Sequence, residues 1–279
     1  MNKNDQITEI VRRSLGDSTS YAVYSREWNA SLLNPIPRHL LREANDVPVE
    51  LPGLDIWHCW EASFLLPSGK PQAGIVKIII DANSPMMIES KSMKLFFNSF
   101  DMATMKSTEH YVETLKQCLS DATQSDVQVA FFDAEEVDCI GSPLWALDDL
   151  DVSGFEYNRE HEHVKKAVAN ELYRFNAFRS RCRHTKQKDT ATVDIKGRFK
   201  ADSLLKELVS YREHNEFHEL CADMLYHKLH SIDPDCSVYM FFNRRGSLDI
   251  NPIRFKSHPN QQYAMFASID YMMKGSMAQ

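Results

Sequence analysis

Cys182 stands in RSRCRHTKQKD, residues 179–189, flanked by Arg181 and Arg183 and followed by His184, Lys186 and Lys188. A free thiol has a pKa of about 8.5, so only a small fraction is thiolate at neutral pH. Nearby cations lower that value and raise the reactive fraction. In extended backbone the immediate neighbours point to the other face, so flanking charge need not reach the sulfur. Asp189 lies seven residues after Cys182, and a loop of that length can bring a carboxyl back towards a thiol. Such a carboxyl acts as an acid at neutral pH only when burial keeps it protonated. Three readings stay open: a nucleophile with an acid beside it, a nucleic-acid patch, or an ordinary cysteine in a solvated loop with a turn aspartate before a strand.

HNEFHELC, residues 214–221, sets His214 and His218 four apart with Cys221 following, a spacing that zinc sites use on one helix. Asn215 is a suitable helix cap, which puts His214 outside the helix, and no fourth ligand presents itself. No metal is assigned. The alternative sets His218 and Glu219 in the first turn of a helix, facing a pocket or solvent; the helix dipole favours Glu there in either case. IESKSMK, residues 88–94, sets Glu89, Lys91 and Lys94 beside an apolar strand, as a site or as a charged strand-to-helix turn. RRGSLDINPIR, residues 244–254, reads as a basic turn around Gly246, suited to phosphate contact by Arg side chains and backbone N–H groups, or as a solvated hairpin. Neither GxGxxG nor a P-loop pattern occurs, so a nucleotide site here is of neither kind.

These residues need a scaffold, and a chain of 279 residues is long enough for one large domain or two ordinary ones. An apolar content of 43% supports a core and argues against disorder. A net charge of -7 makes a poor general binder of phosphate backbones. MNKNDQITEIVRRSLG has no apolar run of a secretory signal, AGIVKIIIDA is broken by Lys77, and the cysteines are scattered without a CxxC pair. The expectation is a cytoplasmic chain with reduced thiols and no membrane segment.

NPIPR, residues 34–38, is held extended by its prolines and belongs to an N-terminal arm, residues 1–47. GLDIWHCWEASFLL and AGIVKIIIDA read as a hairpin turned at SGKPQ. KSTEHYVETLKQCLSDA places Val112, Leu115, Cys118 and Leu119 at helical spacing behind a cap at Ser107 or Thr108. SDVQVAFFDAEE reads as another strand. In the second half, TATVDIKGRF alternates Ala191, Val193 and Ile195 against polar neighbours, SLLKELVSY begins a helix, Asn215 caps a second helix through Leu229, and DCSVYMFFNRRG closes as a strand. The segment between Asp151 and Phe178 is ambiguous between helix and strand. SMKLFFNSF resembles SLLKELVSY, and DVQVAFF resembles DCSVYMF, at similar offsets. This predicts two related modules, residues 48–150 and 151–279, each with sheet strands and helices between strand pairs.

ESKSMKLFFNSF, FRSRC with its following Asp, HNEFHE and RRGSLDINPIR, together with SLLNPIPR, DIWHCWE and LDDLDV, resemble the NADPH-dependent 7-cyano-7-deazaguanine reductases of the queuosine pathway in their longer, two-module form. The resemblance runs over nearly the whole chain. It implies an α+β fold of two tandem tunnelling-fold modules, antiparallel sheets with helices packed on one face, assembled by sheet pairing into a barrel. It also implies reduction of a deazapurine nitrile to the primary amine by NADPH, through a covalent thioimide. Carried over by position, Cys182 is the nucleophile and Asp189 the proton donor. Glu89 and Glu219 hold the guanine-like edge, with His218 beside it; that edge is a row of N–H donors, and a carboxylate only accepts. Met87 and Ile88 supply backbone or apolar contact. Ser90, Lys91, Arg245 and Gly246 contact NADPH. Glu89 comes from the first module and Cys182 from the second, so neither half should work alone. The implied assembly is a homodimer acting on a small molecule, with no direct nucleic-acid partner and no membrane.

The chain departs from that family in four places. Thr190 stands where the family has Trp or Phe, Ser247 where it has a second Gly, DMATM (residues 101–105) lacks an Arg, and both neighbours of Cys182 are Arg. These changes bear on rate and affinity more than on reaction type. Two other classes compete. One is a thiol-dependent hydrolase or hydratase on a purine-like substrate, in which water attacks the thioimide. The other is a non-enzymatic RNA-binding module on RFNAFRSRCRHTKQK, where Phe175 and Phe178 interleave with Arg.

Overall fold

The computed structural model describes residues 27–68, 71–132, 138–141, 145–150, 164–183, 188–243 and 247–275. Contacts divide the chain into two compact units, one drawn from residues 1–50, 57–136 and 245–248, the other from residues 51–56, 137–244 and 249–279. The sheets are open among the described residues.

The first unit runs β1 (Pro35–Pro37), α1 (Arg38–Glu43), β2 (Gly53–Leu65, whose first four residues belong to the second unit), β3 (Pro71–Asp81), β4 (Met86–Ile88), α2 (Ser90–Asn98), α3 (Thr108–Thr123) and β5 (Val127–Phe132). The prolines of NPIPR exclude helix and leave β1 extended; it pairs antiparallel with β4, Ile36 opposite Met87. The main sheet of this unit is ordered β5-β3-β2. Ile75, Val76, Ile78, Ile79 and Ile80 of β3 are all buried, and so is Lys77 between them, so the strand is covered on both faces and its apolar residues do not alternate with polar ones. Ser107 caps α3 by accepting from His110 N. Its buried stripe is Tyr111, Leu115 and Leu119, whereas Val112 and Cys118 lie half-buried beside it. Tyr111 draws the stripe round by packing its ring 4.5 Å from Phe64 and 5.0 Å from Phe100.

The second unit runs β6 (Asp138–Cys139), β7 (Trp145–Ala146), β8 (Lys166–Arg181), β9 (Lys188–Phe199), α4 (Ala201–Ser210), α5 (His218–Ile232), β10 (Ser237–Phe242), β11 (Leu248–Phe255), α6 (Gln261–Ala267) and β12 (Met273–Lys274). Its sheet is ordered β11-β10-β9-β8-β7. The element orders are alike in part, β2-β3-β4-α2-α3-β5 in one unit and β8-β9-α4-α5-β10 in the other, where no described strand corresponds to β4. In each, the last strand pairs antiparallel with the second. The described part of the ambiguous segment before Phe178 is strand; residues 151–163 lie outside the described residues.

Alternation along β9 separates two faces. Ala191, Val193 and Ile195 are buried opposite Phe242, Met240 and Val238 of β10. On the other face Asp194 receives two hydrogen bonds from Arg174, at 2.7 and 2.6 Å, and one from the Tyr263 hydroxyl. Near the start of β2, Gly53 has φ +153°, and a Cβ there would lie 2.0 Å from the Ile253 carbonyl oxygen, so β11 passes close only because the residue is Gly.

Two expectations are corrected. RRGSLDINPIR is not one basic turn, because Leu248–Phe255 is strand β11. Within it Arg254 is fully buried, its Nε 2.7 Å from Asp223 Oδ1 and its Nη1 3.0 Å from Asp55 Oδ1. Burial opposes its charge, but the two carboxylates outweigh burial and raise its pKa, so Arg254 is a core ion pair and no phosphate ligand. Nor does Asn215 cap the second helix. α5 starts at His218 with Phe217 at the N-cap position. The chain before it is extended, with Arg181 N donating to His214 O at 2.8 Å and Asn215 bridged to Arg181. That backbone bond holds residues 214–215 out of helical conformation.

Candidate active site

The β8–β9 hairpin carries the residues singled out around Cys182. Ser180 is paired with Asp189 and Arg181 with Lys188, so the chain returns Asp189 to the strand end that Cys182 leaves. Strand β9 begins at Lys188 and so includes Asp189. Directly opposed residues share a face, and Asp189 lies with the buried side of β9, itself 5% exposed. Cys182 follows the strand in phase with buried Phe178 and Ser180 and is half-exposed.

Helix α5 supplies the next layer. His218, its first residue, stacks on Phe242 with ring centroids 3.9 Å apart and 16° between planes. Its Nε2 lies 3.5 Å from Asp189 Oδ2. Glu219 follows on the same first turn and is buried. Sequence alone held no signal for the His218–Asp189 approach, which joins residues from a strand and a helix. The histidine–cysteine spacing of HNEFHELC does not fall on one helix face, because His214 precedes the helix and Cys221 is buried in the core.

The arginines beside the thiol have other partners. Arg183 Nη1 is 2.7 Å from Glu216 Oε2, and Arg181 Nη2 is 3.7 Å from Glu213 Oε1. Arg174 is bound to Asp194. The charges of Arg181 and Arg183 are thus matched by carboxylates of the segment leading into α5, and that of Arg174 by a carboxylate of β9. Glu213 and Glu216 are neighbours of the thiol segment that the sequence reading missed; their signal is the pair of glutamates three apart shortly before HELC. Phe175 and Phe178 are 6% and 0% exposed, so neither ring can stack on a base, and the interleaved aromatic–basic patch is not an exposed surface.

Among the five described free thiols, Cys59, Cys221 and Cys236 are buried. Burial pushes Cys236 up to about 12, with Asp233 adding to it. Partial burial and then Asp121 raise Cys118. A raised thiol pKa lowers the reactive thiolate fraction. Limited alkylation with iodoacetamide at neutral pH should therefore label Cys182 ahead of Cys118 and well ahead of Cys236. Peptide mass mapping reads the order, and faster labelling of Cys118 would count against a reactive Cys182.

In the first unit, Met87 and Ile88 are buried in β4. Glu89 is the N-cap of α2, its two oxygens accepting from Lys91 N at 2.9 Å and Ser92 N at 2.8 Å. A carboxylate has about four lone-pair sites, so two such bonds leave accepting capacity. Ser90 and Lys91 form the first turn of α2, with Lys91 exposed. Arg245 and Gly246 lie outside the described residues.

Residues 24–131 match the family model for the nitrile reductase, 7-cyano-7-deazaguanine-reductase N-term. This segment is similar to the N-terminal part of the 7-cyano-7-deazaguanine reductases. The matched span holds Met87, Ile88, Glu89, Ser90 and Lys91, together with β1–β4, α1–α3 and all but the last residue of β5. Cys182 and Asp189 lie beyond it. The mixture of sheets and helices is the α+β class expected of such a reductase. Among the described residues no helix is long and apolar enough to cross a membrane.

Proposed function

We propose that the chain reduces the nitrile of 7-cyano-7-deazaguanine to the primary amine, 7-aminomethyl-7-deazaguanine, in queuosine biosynthesis, with NADPH as reductant and Cys182 as the covalent nucleophile. The hairpin that returns Asp189 towards Cys182 is the observation that supports this chemistry. The Cys182 thiolate adds to the nitrile carbon, and one π pair of the C≡N bond moves onto nitrogen. Nitrogen takes the proton of the Asp189 carboxyl, leaving a thioimide. Buried Asp189 is shielded from water, and His218, pinned on Phe242, orients its carboxyl. Glu219 and Glu89 accept from the N–H edge of the base, with His218 beside it, and Met87 and Ile88 add backbone or apolar contact. NADPH supplies hydride, delivered twice in going from nitrile to amine.

Lys91 supports a phosphate contact: it is exposed on the first turn of α2 and has no ion pair among the described residues. The Lys91 and Ser92 N–H groups already meet Glu89, so the side chains of Lys91 and Ser90 would carry that contact, with Arg245 and Gly246. We assign the two units to tunnelling-fold modules that close into a barrel within a cytoplasmic homodimer.

The test is NADPH oxidation that requires the deazapurine nitrile, with the amine identified by mass. Conversion of the nitrile to an amide without NADPH oxidation would select the hydrolase reading instead. No conversion by folded protein would reject both.

A further inference from the structure

We propose that Ser180 is a positioning residue for the proton transfer from Asp189, its hydroxyl donating to the Asp189 carboxylate as that group gives up its proton. This rests on the nitrile-reductase reading above. Ser180 is 0% exposed, and among the described residues its Oγ has no hydrogen-bond partner. A buried hydroxyl without a partner is unfavourable, so its presence at this place calls for a reason. It stands directly opposite Asp189 in the β8–β9 ladder. Opposed residues have Cβ atoms about 4.5–5.5 Å apart, within which a serine hydroxyl reaches an aspartate oxygen by a rotamer change. His218 approaches the same carboxyl from α5, its Nε2 3.5 Å from Oδ2. Ser180 approaches it from β8.

The step balances without any oxidant or reductant. The Cys182 sulfur pair forms the S–C bond, a C–N π pair moves onto nitrogen, and nitrogen takes the Asp189 proton. A negative charge then appears on Asp189, where none stood while the carboxyl was protonated. The Ser180 O–H can turn to donate to it at that moment. An interaction made only as the charge develops speeds the step without tightening substrate binding. Neither Arg181 nor Arg183 is placed to do this while bound to Glu213 and Glu216.

The experiment measures thioimide formation with the nitrile alone, without NADPH, by rapid quench and intact mass. Ser180→Ala should slow it about ten- to a hundredfold, the worth of a hydrogen bond to a charged group. Nitrile affinity, measured by calorimetry in a Cys182→Ala background with and without Ser180→Ala, should not change. Ser180→Thr keeps the hydroxyl and should restore most of the rate in protein that unfolds at the parent temperature. Ser180→Ala reacting at the parent rate overturns this inference alone, as does a loss of affinity that matches the loss of rate. A parent protein that forms no adduct overturns the nitrile-reductase reading, and this inference with it.

Discussion

Cys182→Ala protein, mixed with the deazapurine nitrile in the absence of NADPH, should show no added mass under denaturing conditions, where the parent gains the mass of one nitrile. Only a covalent bond survives denaturation, so the measurement separates a thioimide from simple binding. NADPH oxidation should fall by at least about a thousandfold in the variant, as it does when an enzyme loses the nucleophile of a concerted set. No other described thiol is set to take over. Cys59 and Cys221 are buried, Cys236 is buried with its pKa pushed up to about 12, and Cys118 is raised by partial burial and Asp121. An adduct that persists in Cys182→Ala would move the nucleophile to another residue.

The largest effect on stability is expected at Arg254. Its guanidinium is fully buried between Asp223 and Asp55, at 2.7 and 3.0 Å. Arg254→Met keeps much of the side-chain length but leaves two buried carboxylates without their cation. Breaking a buried ion pair from one side costs about 3–5 kcal/mol. The midpoint of urea unfolding should fall accordingly. Replacing Arg254, Asp55 and Asp223 together by apolar residues of similar volume should recover most of that loss, because no uncompensated charge then remains. A single variant as stable as the parent would mean that water reaches these carboxylates.

Much of the fold could be read from local pattern. The prolines of NPIPR predict an extended segment, and β1 is one. The alternation in TATVDIKGRF predicts a half-buried strand; Ala191, Val193 and Ile195 do face inward, but Thr192 and Asp194 between them are buried too, Asp194 against Arg174 and Tyr263. SMKLFFNSF and SLLKELVSY, alike in sequence, lie largely in helices α2 and α4. The failures came where a partner distant in sequence decided the outcome. Asn215 has a good capping side chain, yet a backbone bond from Arg181 to His214 holds that segment extended. Arg254 looks like part of a basic turn, yet Asp55 lies 199 residues away in sequence.

The same division runs through the candidate site. Sequence by itself determined the residue types and the seven-residue separation of Cys182 from Asp189. A short connection between two strands leaves an antiparallel hairpin as the nearest way back, so the two strand ends meet. Sequence also determined that thiol, carboxyl, imidazole and guanidinium groups occur close together along the chain. Only the tertiary structure decided which charges meet. It sent Arg181 and Arg183 to Glu213 and Glu216, stacked His218 on Phe242 beside Asp189, and left the Ser180 hydroxyl buried opposite that carboxyl. Local propensity follows from a residue and its near neighbours, whereas burial and charge pairing depend on what other elements bring to the same point in space.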